Sequence, residues 1–376
     1  PDAGDQPRIP GGGVNLMNPS LFPGPYTHSG TSVGRAMALV TLALVPATLF
    51  GLGQFGWPAV FIFFVTLGAA LAAEAVSLMI AGKPPLPYLL DGSALLTGWL
   101  LALSLPPWAP WWLGVIGALI AIPLTKQVYG GIGQNLFNPA MVARVALLVA
   151  FPLEMTSFTA PLSPWAASAP DFATGLAVTF GGAIPDGFTG ATLLGQVRTG
   201  LSQGHDLGGI LAGIYDPLSG ALGWVGGSMG ETSAILLLLG GLFLLQRRVI
   251  TWHIPVSLLG ALVLMASLMH LINPARYPDA MLHLVSGATL LAALFIATDP
   301  VTSPVSPRGQ LLFGAGCGLL IYAIRTWAGY PEGVAFAIVL MNACTPIIDH
   351  YARPRIYGRD RRGDPIEYAE QAELHR

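Results

Sequence analysis

Ten stretches of this chain are apolar for long enough to cross a bilayer, alone or as half-helices. The hydrocarbon core takes about 20 apolar residues of helix, fewer where a broken helix is enclosed by its neighbours. The first five runs are roughly Ala36–Gly53, Trp57–Ala81, Leu89–Leu105, Trp111–Thr125 and Pro139–Phe151. The second five are roughly Thr232–Leu245, Ile254–Ile272, Ala280–Thr298, Leu311–Thr326 and Val334–Ile348. Only 10% of residues are charged and 53% are hydrophobic, against roughly 25% charged in soluble domains. Mean hydropathy is +0.64. The expected fold is an all-α polytopic membrane protein of about ten transmembrane helices. Its parts are a polar N-terminal segment (1–31), a first five-span repeat (32–152), a loop insert (153–230), a second five-span repeat (231–350) and a charged tail (351–376). The third and eighth spans are short and interrupted by Gly and polar residues, as discontinuous helices are.

Basic residues set the expected orientation, because they accumulate on the cytoplasmic side. With the N-terminus in the cytoplasm, Lys83, Lys126, Arg247, Arg248 and Arg308 fall in cytoplasmic connections. Arg353, Arg355, Arg359, Arg361 and Arg362 join them in a cytoplasmic C-terminal tail. The opposite side receives only Arg198, Arg276 and Arg325. The insert then lies outside the cytoplasm. Trp57 and Trp252, Pro106 and Pro300, and Pro152 and Pro346 pair at offsets of 194 or 195 residues. Ser93-Ala94-Leu95-Leu96 also runs parallel to Gly287-Ala288-Thr289-Leu290. Five spans per repeat is odd, so the halves would be inverted, an arrangement that places sites at the repeat interface. Trp57, Trp108, Trp111, Trp112, Trp252 and Trp327 sit at span ends, as interfacial anchors do.

Several functions are disfavoured. A net charge of −2 implies no nucleic-acid partner. The Gly- and Pro-containing start does not read as a cleavable signal peptide. Cys317 and Cys344 lie in apolar runs and read as core filler; two thiolates are too few for an iron–sulfur cluster. The seven histidines show no metal-ligand spacing, so no metal site is expected.

The insert carries the heptapeptide Asp186-Gly187-Phe188-Thr189-Gly190-Ala191-Thr192. Its small residues allow close approach by another molecule. It resembles the flavinylation motif D-x-x-[ST]-G-A-T, in which the last threonine is esterified to the phosphate of FMN. Asp186, Thr189, Gly190 and Ala191 would form the recognition sequence and Thr192 the acceptor. A second copy of its core, Ser286-Gly287-Ala288-Thr289, lies in an apolar run with His283 where the acid should be.

Other polar groups are candidates on the cytoplasmic side. The connection Tyr129 to Ala140 is rich in glycine and offers Asn135 and Asn138, whose amides suit a flavin ring edge. Asn138 before Pro139 equally suits a helix N-cap. Asp299, after the eighth span, suits a ribityl chain or a ring N–H, or is a solvated end-of-span acid. Glu74 is the one acid well inside a span; it needs a partner, a proton or an ion. His270 is one candidate partner. Glu74, Asp91 and Asp349 together suggest a cation path.

DGSALLTG at 91–98, GGIGQNLFNPA at 130–140, DGFTGAT at 186–192, ATDPV at 297–301 and RTWAGYPEGVAFAIVLMN at 325–342 resemble the D subunit family of the Rnf complex. The likeness runs from about residue 25 to 357. Leu193 and Leu136 depart from it, standing where the family often has proline. The family implies an inner-membrane electron-transfer subunit of an ion-translocating ferredoxin:NAD oxidoreductase. Covalent FMN on Thr192, on the periplasmic side, would be installed by a flavin transferase. A second, non-covalent riboflavin or FMN would sit near Asn135, Asn138 and Asp299. Partners would be the other subunits, above all the G subunit with its own FMN and the A and E membrane subunits, besides membrane lipid. Na⁺ or H⁺ translocation would be coupled to electron flow. Alternatives are the related B subunit of a sodium-pumping NADH:quinone reductase, or a non-redox inverted-repeat transporter.

Overall fold

The structure is a computed structural model, and it describes residues 32–161, 169–182, 189–224, 226–328, 330 and 332–353. All ten apolar runs are helical. In chain order the first group is α1 (Val33–Phe55), α2 (Trp57–Ile80), α3 (Pro85–Leu89), α4 (Ser93–Ser104), α5 (Trp111–Leu119) and α6 (Pro139–Ala150). The insert follows with α7 (Pro152–Thr156), α8 (Phe172–Gly181), α9 (Leu193–Ser202), α10 (Leu207–Ile214) and α11 (Pro217–Leu222). The second group is α12 (Ala234–Gln246), α13 (His253–Ile272), α14 (Ala280–Val285), α15 (Thr289–Leu291), α16 (Pro307–Trp327) and α17 (Val334–Tyr351). α5 and α15 continue as wider π-helical segments, Ile120–Gln127 and Ala292–Ile296. Pro123 lies inside the first of these and cannot donate a backbone hydrogen bond there.

α1, α2, α13 and α17 are long and apolar enough to cross a membrane. Their outer faces are greasy too: Leu42, Leu49, Phe64 and Leu264 are all more than half exposed. An apolar surface of that extent belongs against lipid. Packed inside it is a core of Leu, Ile, Ala and Phe drawn from both groups of helices. The chain is thus a polytopic helical membrane protein.

Glycines set how closely α13 and α16 pack. A Cβ on Gly314 would lie 2.7 Å from the Ile254 carbonyl oxygen, and one on Gly318 would collide with the Leu258 carbonyl oxygen and reach the Leu262 nitrogen at 3.0 Å. Backbone cannot swing aside as a side chain can. Gly318→Ala is therefore expected to cost about 1–3 kcal/mol through forced separation of the two helices. A lowered melting temperature in detergent checks this; an unchanged one would show that the helices have slack.

Three sequence expectations need correction. Among its described residues the insert is largely helical rather than loop-like. Its α8 packs on α2, with Phe172 edge-on to Trp57 and Phe61 at 5.2 Å between ring centroids. Short helices separated by Gly and Pro leave little periodicity to read. Trp108 is no interfacial anchor: it is 1% exposed and its indole N–H donates to the Phe55 carbonyl at 3.0 Å. Cys317 is buried as expected, but Cys344 is exposed on the face of α17.

Candidate functional site

Thr192 is the N-cap of α9. Its Oγ1 accepts a hydrogen bond from the Gly195 N–H at 3.2 Å, as a threonine at this position should. Two devices hold it there. The strand β2 (Thr189–Gly190) pairs antiparallel with β1 (Phe158–Thr159), tying the acceptor segment to the start of the insert. Leu193, Leu194 and Val197 of α9 then bury against Leu207 and Leu282. Thr192 is consequently only 5% exposed. That corrects the expectation that the small residues of this stretch leave it open to close approach by another molecule. Asp186 lies outside the described residues.

Thr192 lines a small cavity with Glu231, Ser286, Gly287 and Glu332. Behind it lies a buried ionic cluster that the sequence reading missed. Arg144 of α6 donates to the Glu332 carboxylate, and Glu231 lies 3.8 Å from the same nitrogen. Ser228 donates to Glu231 at 2.6 Å. All three charged side chains are more than nine-tenths buried. A signal was available, since Arg144 falls within the fifth apolar run, where a charge is as costly as an acid.

The second Ser-Gly-Ala-Thr copy is structural. It forms the break between α14 and α15, with Gly287 at φ 67°, a left-handed conformation suited to glycine. Arg325 donates to the carbonyls freed there, His283 at 2.9 Å and Ser286 at 3.1 Å. The Thr289 hydroxyl is fully buried and donates to the same two carbonyls, so its proton is already committed within the break.

The third run breaks in the same way. Gly92, at φ 77°, separates α3 from α4. Lys126 reaches this break, donating to Ser93 Oγ at 2.8 Å and to Glu74 Oε1 at 2.8 Å. Lys126 is thus buried at 3% exposure in the π-helical turn, not in a solvated connection. It, and not His270, is the partner of Glu74; His270 Nδ1 instead meets the Tyr277 carbonyl at 2.7 Å. Asp91 accepts from the Ser93 N–H, closing a local turn, and Asp349 accepts from the Val305 N–H, fixing the connection before α16 to the end of α17.

Asn135, Asn138 and Asp299 line one cavity of about 120 Å³, together with Lys126, Thr97 and Phe295. Asn138 is indeed the N-cap of α6, its Oδ1 accepting from the Met141 N–H at 3.2 Å. Its backbone N–H donates to Asn342 of α17. The cap uses the oxygen and leaves the side-chain NH₂ without a partner among the described residues. Asn135 donates to the Phe137 carbonyl at 3.1 Å, which leaves its oxygen. Asp299 accepts from the Val301 N–H and the Thr302 hydroxyl.

The fold and site define a polytopic helical membrane protein with buried charge at two broken helices and a capped threonine beside one of them. The chain belongs to the NQR2, RnfD, RnfE family, whose model matches residues 20–358. It is 54% identical to the D subunit of the ion-translocating oxidoreductase complex of Stutzerimonas stutzeri, over 89% of this chain and 95% of that protein. To the protein of the same name in Halorhodospira halophila it is 51% identical, over 92% and 97%. The Rhodobacter capsulatus protein is 49% identical, over 80% and 84%.

Proposed function

We propose that this chain is the membrane electron-transfer subunit of an ion-translocating oxidoreductase complex, and that it carries FMN esterified through its phosphate to Thr192. The observation that carries this is the placement of Thr192 at the head of a ten-residue helix beside a cavity. The first N–H groups of a helix lack intrahelical acceptors, and the helix dipole favours negative charge there. A phosphodiester on Thr192 Oγ1 would have that favourable end of α9 as its immediate surroundings. Arg144 offsets the charge of Glu332 in the cavity wall, so the site does not confront the phosphate with two uncompensated acids. The flavin supplies the electron-carrying chemistry; the chain supplies the attachment oxygen and its fixed position.

In the same proposal the ten helical runs are two inverted five-span repeats, with both termini cytoplasmic and Thr192 periplasmic in the inner membrane. The broken third and eighth runs, each bound by a basic residue near the end of the next run, support the repeat. The Asn135–Asn138–Asp299 cavity would hold a second, non-covalent flavin, with the free amide groups of the two asparagines facing polar ring atoms. Partners are the other subunits of the complex, including a flavin-carrying G subunit and the A and E membrane subunits, together with a flavin transferase. Glu74, here paired with Lys126, makes up the suggested Na⁺ or H⁺ path with Asp91 and Asp349.

The test is the denatured polypeptide from cells that contain the transferase. The wild-type band is expected to fluoresce under ultraviolet light and to weigh one FMN less one water above the bare chain. Thr192→Val should be dark and unmodified. A dark wild-type band would overturn the proposal and leave an inverted-repeat transporter without a prosthetic group.

A further inference from the structure

The three arginines that run against the distribution of basic residues converge on one place. Arg198 on α9, Arg276 after α13 and Arg325 in the last turn of α16 line a single cleft of about 470 Å³, with Tyr277, His283 and Trp327. No carboxylate lines it among the described residues. The nearby Asp279 is engaged elsewhere, accepting from the Leu282 N–H at 3.0 Å to cap α14. The Arg276 guanidinium has no hydrogen-bond partner among the described residues and lies 5.9 Å from the Tyr277 ring centroid. Arg198 makes one long bond, 3.4 Å, to the Tyr330 carbonyl. Deeper in, Arg325 Nε and both ring nitrogens of His283 are buried with no partner. Those two side chains are 6% and 3% exposed. The exposed Arg276 and half-buried Arg198 leave their charge free for an anion, and buried donors without partners are unfavourable unless an acceptor meets them.

The cleft joins apolar surface: Trp327 lines it, and α13 ends at Ile272, four residues before Arg276. At the end of α13, Leu268, Leu271 and Ile272 are 51%, 79% and 68% exposed, and Trp327 is 54% exposed. A soluble anion would have no use for that strip, whereas an acyl chain would. We propose that the cleft binds the phosphate headgroup of an anionic phospholipid, with its acyl chains lying along the exposed end of α13 beside Trp327. Guanidinium groups match phosphate oxygens in a two-pronged geometry, and Tyr and Trp sit well at headgroup level. The site needs no flavin; only its leaflet follows from the orientation proposed above.

Native mass spectrometry of the full chain tests this, with phosphatidylglycerol and phosphatidylcholine offered separately. Wild type is expected to retain phosphatidylglycerol preferentially, and Arg198→Gln/Arg276→Gln to retain it about ten-fold less, with phosphatidylcholine unchanged. An unaltered melting temperature in phosphatidylcholine shows that the variant is folded; should it not fold, the exposed single variant Arg276→Gln is expected to retain phosphatidylglycerol several-fold less, and equal retention by it overturns the proposal. Equal retention of phosphatidylglycerol by variant and wild type overturns the proposal. So does displacement of the lipid by glycerol phosphate at equal concentration, which would mark a site for a free phosphate. Band fluorescence from the same samples reports Thr192 independently, so a lipid result in either direction leaves that question separate.

Discussion

Arg144→Met is expected to destabilise the bundle by about 3–5 kcal/mol, because it strands buried negative charge. Methionine keeps most of the arginine stem, so packing changes little. What changes is that Glu332 and Glu231, with side chains 8% and 5% exposed, lose the only cation in salt-bridge reach among the described residues. Glu231 keeps the Ser228 hydroxyl, whereas Oε1 of Glu332 is already buried without a partner. Adding Glu332→Gln should recover a large part of the loss, since neutral glutamine does not require the cation. Thermal melts of the two singles and the double give the coupling. If Arg144→Met melts with wild type, the cluster is solvated and the pairing contributes nothing. The cluster walls the Thr192 cavity, so the single variant should also load less flavin than the double, read from band fluorescence.

The second large effect is expected at the other broken helix. Lys126→Met leaves the Glu74 carboxylate at 1% exposure with neither oxygen paired, since Oε2 has no partner already. The expected loss is again about 3–5 kcal/mol, and Glu74→Gln in the same chain should restore most of it. Ser93 would lose its ammonium donor in both variants, so recovery will be incomplete. Lys126 also lines the cavity of Asn135 and Asn138. Extractable flavin should therefore fall in the double variant even where the melt recovers. A double variant as unstable as Lys126→Met alone would mean that the loss comes from the ammonium contact with Ser93, and not from a stranded Glu74 charge.

The two effects share a cause that bears on how the chain can be read. Apolarity, turn chemistry and capping are local, and they were legible. The ten helical runs, the breaks at Gly92 and Gly287 and the Asn138 cap all follow from neighbours within a few residues. The grouping of Asn135, Asn138 and Asp299 was legible too, because the ends of successive spans must come back to the same side. Partners across helices were not legible in this way. Glu74 and Lys126 are 52 residues apart, and Arg144 and Glu332 are 188 apart. Which side chain meets which depends on the rotation of each helix about its axis, and no short stretch of sequence encodes that rotation.

Thr192 shows both limits in one residue. Its motif stands out in the sequence, yet its near-complete burial comes from α9 docking on α14 and from the β1–β2 pair. The sequence by itself determined that this is a polytopic helical membrane protein, where its helices break, and which threonine ends the D-x-x-[ST]-G-A-T stretch. Only the tertiary structure decided which buried charges neutralise one another, and that three outlying arginines share a cleft. Local composition dictates how a segment meets lipid, whereas the pairing of charges depends on long-range packing, which brings distant residues within a few ångströms.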